Sequence, residues 1–335
     1  MKIKLLIATD DNDYAEHLSQ ILVKNHSDVF DVIVCSSAER LRDLLTTGRF
    51  DAALLEPGFA SEVNLNSVLL PLELTDEFWG GAGNSEDLRK IRKYQRVSSL
   101  AGDILEYYAE VATGMSGFFA NQGKITAVWS PSGGSGKTTV ALAYAAAKVS
   151  EGKQALYLNL ENFSSISAFF QENGRSISKA FEKMESNLHL FLQGIRQKNS
   201  DSGIMYFCSP DNYDDINKLE TKDVESLLNA CVAGIDDLIV DLSSSCDERV
   251  QMVFAMADTV FIVCDPSAIS QVKLKQFIEQ HSVFAELRRK AVIVSNKGAK
   301  TETAAVVIKE IQLPSVQSVE PVSVLEALSG SNIPW

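Results

Sequence analysis

Residues 130–139, SPSGGSGKTT, place three glycines, one lysine and several hydroxyls within a single short stretch. Gly133, Gly134 and Gly136 let successive backbone N–H groups turn inward around an anion. A helix starting near Lys137 adds its positive dipole end to the same spot. In such a loop the backbone of Ser135 lines the cradle, Lys137 reaches the β- and γ-phosphates of a nucleotide, and the Thr138 hydroxyl ligates Mg²⁺, with Thr139 beside it. The chemistry this implies is binding of ATP with Mg²⁺. Pro131 stands where the widest form of the pattern, GxxxxGK[ST], has a glycine, so the loop fits that form loosely.

A phosphate loop works only between a strand and a helix, and the flanking sequence supplies both. The apolar run ITAVW (125–129) precedes it and the helical stretch 137–150 follows. Further runs, ALYLNLE, IMYFCS, DLIVDL, TVFIVCD, AVIVSN and PSVQSVE, read as strands. A long helical region is expected to about Lys198, another helix at 270–287, and a terminal helix closes the unit. Asp241 ends the run LIVD, where a phosphate-loop site needs a Mg²⁺-holding carboxylate, although an Asp at a strand end also serves turns. Upstream, IKLLIAT, FDVIVCS and DAALLE alternate with helix candidates and a last helix over 98–111. Short apolar strands alternating with amphipathic helices imply parallel sheets covered on both faces. The expected fold class is therefore α/β, two doubly wound domains: 1–112, a linker over 113–123 containing Gly114, Gly117 and Gly123, and 124–335. Gly80, Gly81 and Gly83 interrupt the first of them.

Composition agrees with an ordinary folded protein. The 335 residues are 45% hydrophobic and 22% charged, with a net charge of −13. That balance excludes a disordered or collagen-like chain. Surplus acid repels phosphate backbones and disfavours nucleic acid as a partner. The cations Lys273, Lys275, Arg288, Arg289 and Lys290 fit a solvated helix surface better than a DNA-binding face. No apolar run is long enough to span a bilayer, and the acidic start MKIKLLIATDDND is unlike a signal peptide. A cytoplasmic protein is expected. Five scattered cysteines, none with CxxC spacing, read as buried thiols.

The stretch 132–138, SGGSGKT, resembles the loop of the MinD/ParA family of deviant Walker-A ATPases, KGGxGKT, at every position but the first. The family's leading Lys, which reaches the partner subunit's phosphates in a dimer, is here Ser132. The resemblance implies a P-loop NTPase domain over 124–335 and an ATP-dependent homodimer. It places Asn159 and Glu161 at the family's paired Asp positions, so Glu161 would orient the attacking water or support Mg²⁺; the other reading is a solvated Glu at a strand end. Asp241 corresponds to the Walker-B Asp, and Asn296 to the Asn that reads the adenine amino group; Asn296 reads equally as a residue turning the chain. The catalytic set implied is thus Lys137, Glu161 and Asp241. Ser243-Ser244-Ser245 replaces the family's usual switch, and γ-phosphate sensing is assigned to none of the three.

Residues 1–110 resemble a response-regulator receiver, a flavodoxin-like fold. Asp10 and Asp11 follow the first strand, Glu56 stands where the phospho-acceptor Asp belongs, and Lys93 matches the receiver Lys loosely. The reading favoured is an unphosphorylated protein-interaction domain. A pseudo-receiver ahead of a MinD-like ATPase resembles the TadZ/CpaE type, which implies a localisation or assembly factor for a Tad-type pilus or secretion machine. Partners would dock through residues 1–112, and through the apolar segment 166–170, although Phe169 and Phe170 read equally as ordinary core. Only Ser-Gly-Ser-Asn-Ile-Pro-Trp335 follows the last helix, so no MinD-like membrane helix is expected and a partner would recruit the protein to the inner membrane face or pole. Three functions compete: a weakly hydrolysing ATP switch, a catalytically degenerate ATP-binding scaffold, and a DNA-partitioning ATPase. Residues 1–120 carry −8 of the −13 charge, which suits a docking module.

Overall fold

A computed structural model describes residues 2–27, 29–61, 63–76, 88–111, 123–182, 188–279, 281–299 and 309–335. The expected linker, apart from Gly123, and the glycines at 80, 81 and 83 lie outside them. The chain divides into two compact units, Met1–Phe118 with Gln193–Ile195, and Phe119–Leu192 with Arg196–Trp335.

In the first unit the described strands are β1 (Ile3–Ala8), β2 (Phe30–Cys35), β3 (Phe50–Leu55), β4 (Val68–Thr75) and β5 (Arg89–Arg92). They pair in the order β2-β1-β3-β4-β5, all parallel. This is a doubly wound order whose switch point lies between β1 and β3. β1 and β3 are buried almost throughout because helices cover both faces. The helix Asn12–Asn25 starts where Asp11 accepts a hydrogen bond from the Tyr14 N–H. β4 was not expected. Pro71 sits inside it opposite Ala53, where a strand normally excludes proline. Val68, Leu70, Leu72 and Leu74 nevertheless alternate inward and carry the segment.

The second unit adds β6 (Lys124–Trp129), β7 (Ala155–Leu160), β8 (Gln197–Lys198), β9 (Met205–Tyr206), β10 (Asp237–Leu242), β11 (Thr259–Cys264), β12 (Ala291–Ser295) and β13 (Lys309–Gln312). Their order is β13-β12-β11-β6-β10-β7-β9-β8, parallel except for β8 at the edge. Every residue of β10 is buried. One face is covered by the helix Lys137–Ser150, whose Val140, Ala141 and Tyr144 join Leu325 and Leu328 of the terminal helix Pro321–Ser329 in one core. The run of small residues in the first helix lets it lie close to the sheet.

Three expectations are corrected here. The long helical region before Lys198 is a 3₁₀ turn (Ile166–Ala168) and short helices at Ser178–Phe181 and Leu188–Ile195, because Asn173-Gly174 breaks any helix between them. The strand expected in PSVQSVE lies upstream, as β13; Pro314, just beyond it, cannot donate to a ladder. The apolar side of segment 166–170 is not open for docking: Ile166 and Phe170 are buried in the core and Phe169 packs against it, as the core reading has it, while Ser167 and Ala168 are exposed.

Candidate functional site

The carboxyl ends of β6, β7 and β10, central neighbours in the sheet, deliver the loop 130–136, Glu161 and Ser243–Ser245 to one place. That is where a doubly wound sheet gathers ligand-binding groups. The loop turns through left-handed backbone at Gly134 (φ 74°) and Gly136 (φ 90°), and Gly136 caps the helix that starts at Lys137. Gly136 is required twice over: its φ suits glycine, and a Cβ there would collide with the Asn296 amide.

Two side chains after β12 hold the loop from outside. Asn296 Nδ2 donates to the Ser135 carbonyl at 2.9 Å, while its Oδ1 accepts the Lys297 N–H at 2.8 Å. Lys297, itself left-handed at φ 54°, donates from Nζ to the Gly134 carbonyl at 2.7 Å. Both ends of the Asn296 amide are therefore engaged within the chain. Ser132 is buried; its hydroxyl donates to Ser270 Oγ at 3.2 Å and its N–H to Ser130 Oγ at 3.1 Å. The position where the resemblance has a protruding Lys thus points into the fold.

Lys137 is buried, with Nζ 3.3 Å from Glu161 Oε1 and donating to Ser244 Oγ at 3.3 Å. Asp241 is fully buried, and Tyr157 donates to its Oδ2 at 2.7 Å. Asp241 Oδ1 and the buried hydroxyl of Ser135 have no hydrogen-bond partner among the described residues. Burial, followed by the Glu161 charge, pushes the Asp241 carboxyl up to about 7, against the opposing pull of Thr138, Tyr157 and Lys137. A buried carboxylate oxygen without a donor is costly, and a cation removes that cost. Among the described residues no three His, Cys, Asp or Glu converge on a metal site. A cation beside Asp241 would draw its other ligands from the half-buried Thr138, from water and from a bound phosphate.

The structure brings Lys137, Thr138, Glu161 and Asp241 together and puts a buried Asn296 against the Ser135 carbonyl, with Thr139 half-buried in the first helical turn. Sequence reasoning gave no role to Tyr157, Ser244, Lys297 or Trp129, whose Nε1 donates to the Ser245 carbonyl at 2.7 Å. The period of two along β7 was the available signal for one of them: Tyr157 shares a face with Asn159.

The first unit has its own polar cluster at its strand ends. Lys93 Nζ donates to Glu56 Oε1 at 2.6 Å and lies 3.1 Å from Asp11 Oδ2. It also sits 5.2 Å from the ring centroids of both Tyr14 and Tyr94. The Asp10 N–H donates to Glu56 Oε2, and Tyr94 OH to Asp11 Oδ2. Burial alone would raise the Glu56 carboxyl, but hydrogen bonds led by Lys93 hold it below its ordinary value. The Tyr14 backbone N–H and then Lys93 do the same for Asp11.

No curated protein matches the chain. Among solved structures, the ParA family ATPase from Chlorobium tepidum is similar at 20% identity and TM-score 0.52, over 63% of this chain and 94% of that one. The MinD cell division ATPase of Pyrococcus furiosus follows at 12% and 0.46, over 62% and 97%. The first of these shows a shared fold. The family profile described as ATPase MipZ matches residues 125–329, more than half of the chain, from β6 through the terminal helix. The chain belongs to the ATPase MipZ family.

Proposed function

We propose that the protein is an ATP-binding, weakly hydrolysing switch whose nucleotide state governs homodimerisation and partner docking. One observation carries this reading: beside a loop that turns through left-handed glycines, a buried Lys137 lies within electrostatic reach of a buried Asp241 whose Oδ1 has no hydrogen-bond partner among the described residues. Lys137 and the N–H groups of 133–138 would bind the phosphates and stabilise charge on the γ-phosphoryl group in the transition state. Thr138, and Asp241 through water, would hold Mg²⁺, which when bound neutralises phosphate charge. Glu161, freed from its pair with Lys137 once phosphate engages that ammonium, would orient the attacking water. Asn296 would read the base with the second N–H of its amide and the second lone pair of its oxygen, since one of each is engaged within the chain.

The inward Ser132 favours a second reading, an ATP-binding scaffold without turnover. Single-turnover hydrolysis separates the two: phosphate release no faster than from Lys137→Ala, with the dimer formed, establishes the scaffold. Sizing the protein with ADP, with ATP and as Lys137→Ala tests the switch, and an identical species in all three removes it.

The first unit supports a docking role. Its strand order and its Asp11–Lys93–Glu56 cluster fit a receiver-like domain in which the lysine already neutralises the acidic pocket. Residues 1–112 would bind a pilus, secretion or polar-localisation partner, making the protein a localisation or assembly factor of the TadZ/CpaE type. Pull-down of Tad-machine components by residues 1–335 but not by a variant with a disrupted first unit is the corresponding test.

A further inference from the structure

Tyr157 is buried in the middle of the sheet, where a leucine would fill most of the same space with no hydroxyl to satisfy. Its hydroxyl is doubly used. It donates to Asp241 Oδ2 at 2.7 Å and accepts from Asn159 Nδ2 at 2.9 Å. The Asn159 Oδ1 in turn accepts the Glu161 N–H at 2.8 Å. Donors thus run in one direction, Glu161 N–H to Asn159 to Tyr157 to Asp241, and each bond polarises the next. Strand register makes this possible. Asp241 lies opposite Asn159 in the β10–β7 pair, Tyr157 and Asn159 share one face of β7, and Glu161 follows directly after its last residue.

The chain of bonds ends on one carboxylate oxygen and leaves the other, Oδ1, without a hydrogen-bond partner among the described residues. A carboxylate held by only one oxygen cannot rotate without breaking a buried bond, so Oδ1 stays aimed away from Tyr157. The same chain fixes the first backbone N–H of the segment that carries the Glu161 carboxylate. Neither Tyr157 nor Asn159 is charged, so the device orients Asp241 without competing for a cation.

We infer that Tyr157, supported by Asn159, is a positioning residue that presents Asp241 Oδ1 to a divalent cation and sets the Glu161 backbone relative to it. This rests on the proposed reading of the site as one for Mg²⁺ and ATP. A merely structural hydroxyl would stabilise the sheet and leave the response to metal untouched.

The test is equilibrium binding of a fluorescent ATP analogue to the full chain, in EDTA and across a Mg²⁺ titration. Tyr157→Phe keeps the ring and removes the hydroxyl. Its half-saturating Mg²⁺ concentration is expected to rise roughly tenfold, with affinity in EDTA within about twofold of wild type. Asn159→Ala, at a half-buried position, should move the Mg²⁺ midpoint the same way by roughly threefold, and it carries the test alone if Tyr157→Phe does not fold. An unchanged Mg²⁺ midpoint in the folded variant, or equal losses with and without metal, overturns the positioning role while the nucleotide reading stands. A wild-type chain that binds the analogue under neither condition overturns that reading and this one with it.

Discussion

Each unit buries a lysine beside a glutamate at the carboxyl ends of parallel strands, and the two pairs have opposite surroundings. Lys93 is saturated: two carboxylates and two aromatic faces meet its ammonium, and the Glu56 oxygens take hydrogen bonds from Lys93 and the Asp10 N–H. Lys137 has a longer contact to Glu161 and one hydroxyl, and next to it Asp241 Oδ1 and Ser135 Oγ have no partner among the described residues. A fold leaves buried polar atoms unpaired only at a cost, so the unpaired atoms mark where an external ligand completes the structure. The same residue pair therefore closes one pocket and opens the other. Orphaned atoms, rather than the pair itself, distinguish a ligand site from a structural ion cluster.

Breaking the open pair should have the largest effect. Lys137→Ala removes the cation that meets charge developing on the phosphate, and hydrolysis is expected to fall by about 10²–10³-fold, measured as single-turnover phosphate release. Its thermal stability should change little by comparison, because the fold does not depend on an ion pair whose partner Glu161 reaches water. Loss of folding instead of activity would place Lys137 in the same structural class as Lys93.

Lys93→Met should do the reverse, leaving nucleotide binding intact and weakening the first unit. Stranding the Glu56 carboxylate is expected to cost about 2 kcal/mol near pH 7, less than for a fully buried pair because water reaches it. The pH dependence has a defined sign. Glu56 and Asp11 are held below their ordinary values, so in the wild type their contribution is present above about pH 4.5 and is lost as pH falls through the lowered values. The variant lacks that contribution, so its deficit in melting temperature should shrink from pH 7 to pH 4. A deficit independent of pH would mean that Lys93 acts through packing alone.

At the open site the sign is opposite. Asp241 is pushed up to about 7, so the folded chain holds this proton more tightly than the unfolded one. The resulting stability is present below about pH 4 and is lost as pH rises through 7. A bound cation must displace that proton, so Mg²⁺ affinity measured with nucleotide should increase about tenfold from pH 6 to pH 8. Asp241→Asn should abolish the slope. A flat profile in the wild type would show that the carboxylate is already ionised, and would bring the two pockets closer in character than their hydrogen bonds suggest.

What could be read from the sequence follows the range of the interactions involved. The strand, glycine loop and helix over 124–150 form a contiguous signal, so the loop, Lys137 and Thr138 were legible, and Asp241 announced itself by ending an apolar run. β4 was not, because Pro71 contradicts a strand locally and obscured the alternation of Val68, Leu70, Leu72 and Leu74, which β3 and β5 on either side make effective. The inward turn of Ser132 depends on Ser270, 138 residues away, and no local pattern carries that. Tyr157 was hidden in an apolar run, where its hydroxyl counts for nothing until Asp241 is placed opposite. Segment 166–170 was ambiguous: its aromatic character suits a surface or a core equally, and only the sheet behind it decides for the core.

The smallest expected effect tests whether the open loop is held in shape before any ligand arrives. Asn296 and Lys297 grip the carbonyls of Ser135 and Gly134 from outside, on the side away from the inward-turning amides. Carbonyls fixed outward leave the N–H groups of the same peptides facing inward, so this grip arranges the cradle in advance and lowers the ordering cost of phosphate binding. Asn296→Ala deletes one such bond, worth about 1 kcal/mol, and ATP affinity should fall roughly fivefold. Lys297→Met should give a smaller loss, because its ammonium is exposed and water can replace it at the Gly134 carbonyl. Inorganic triphosphate, which lacks a base, discriminates between the two roles open to Asn296. An equal loss of affinity for triphosphate and ATP assigns it to loop shape, and a loss confined to ATP assigns it to the adenine.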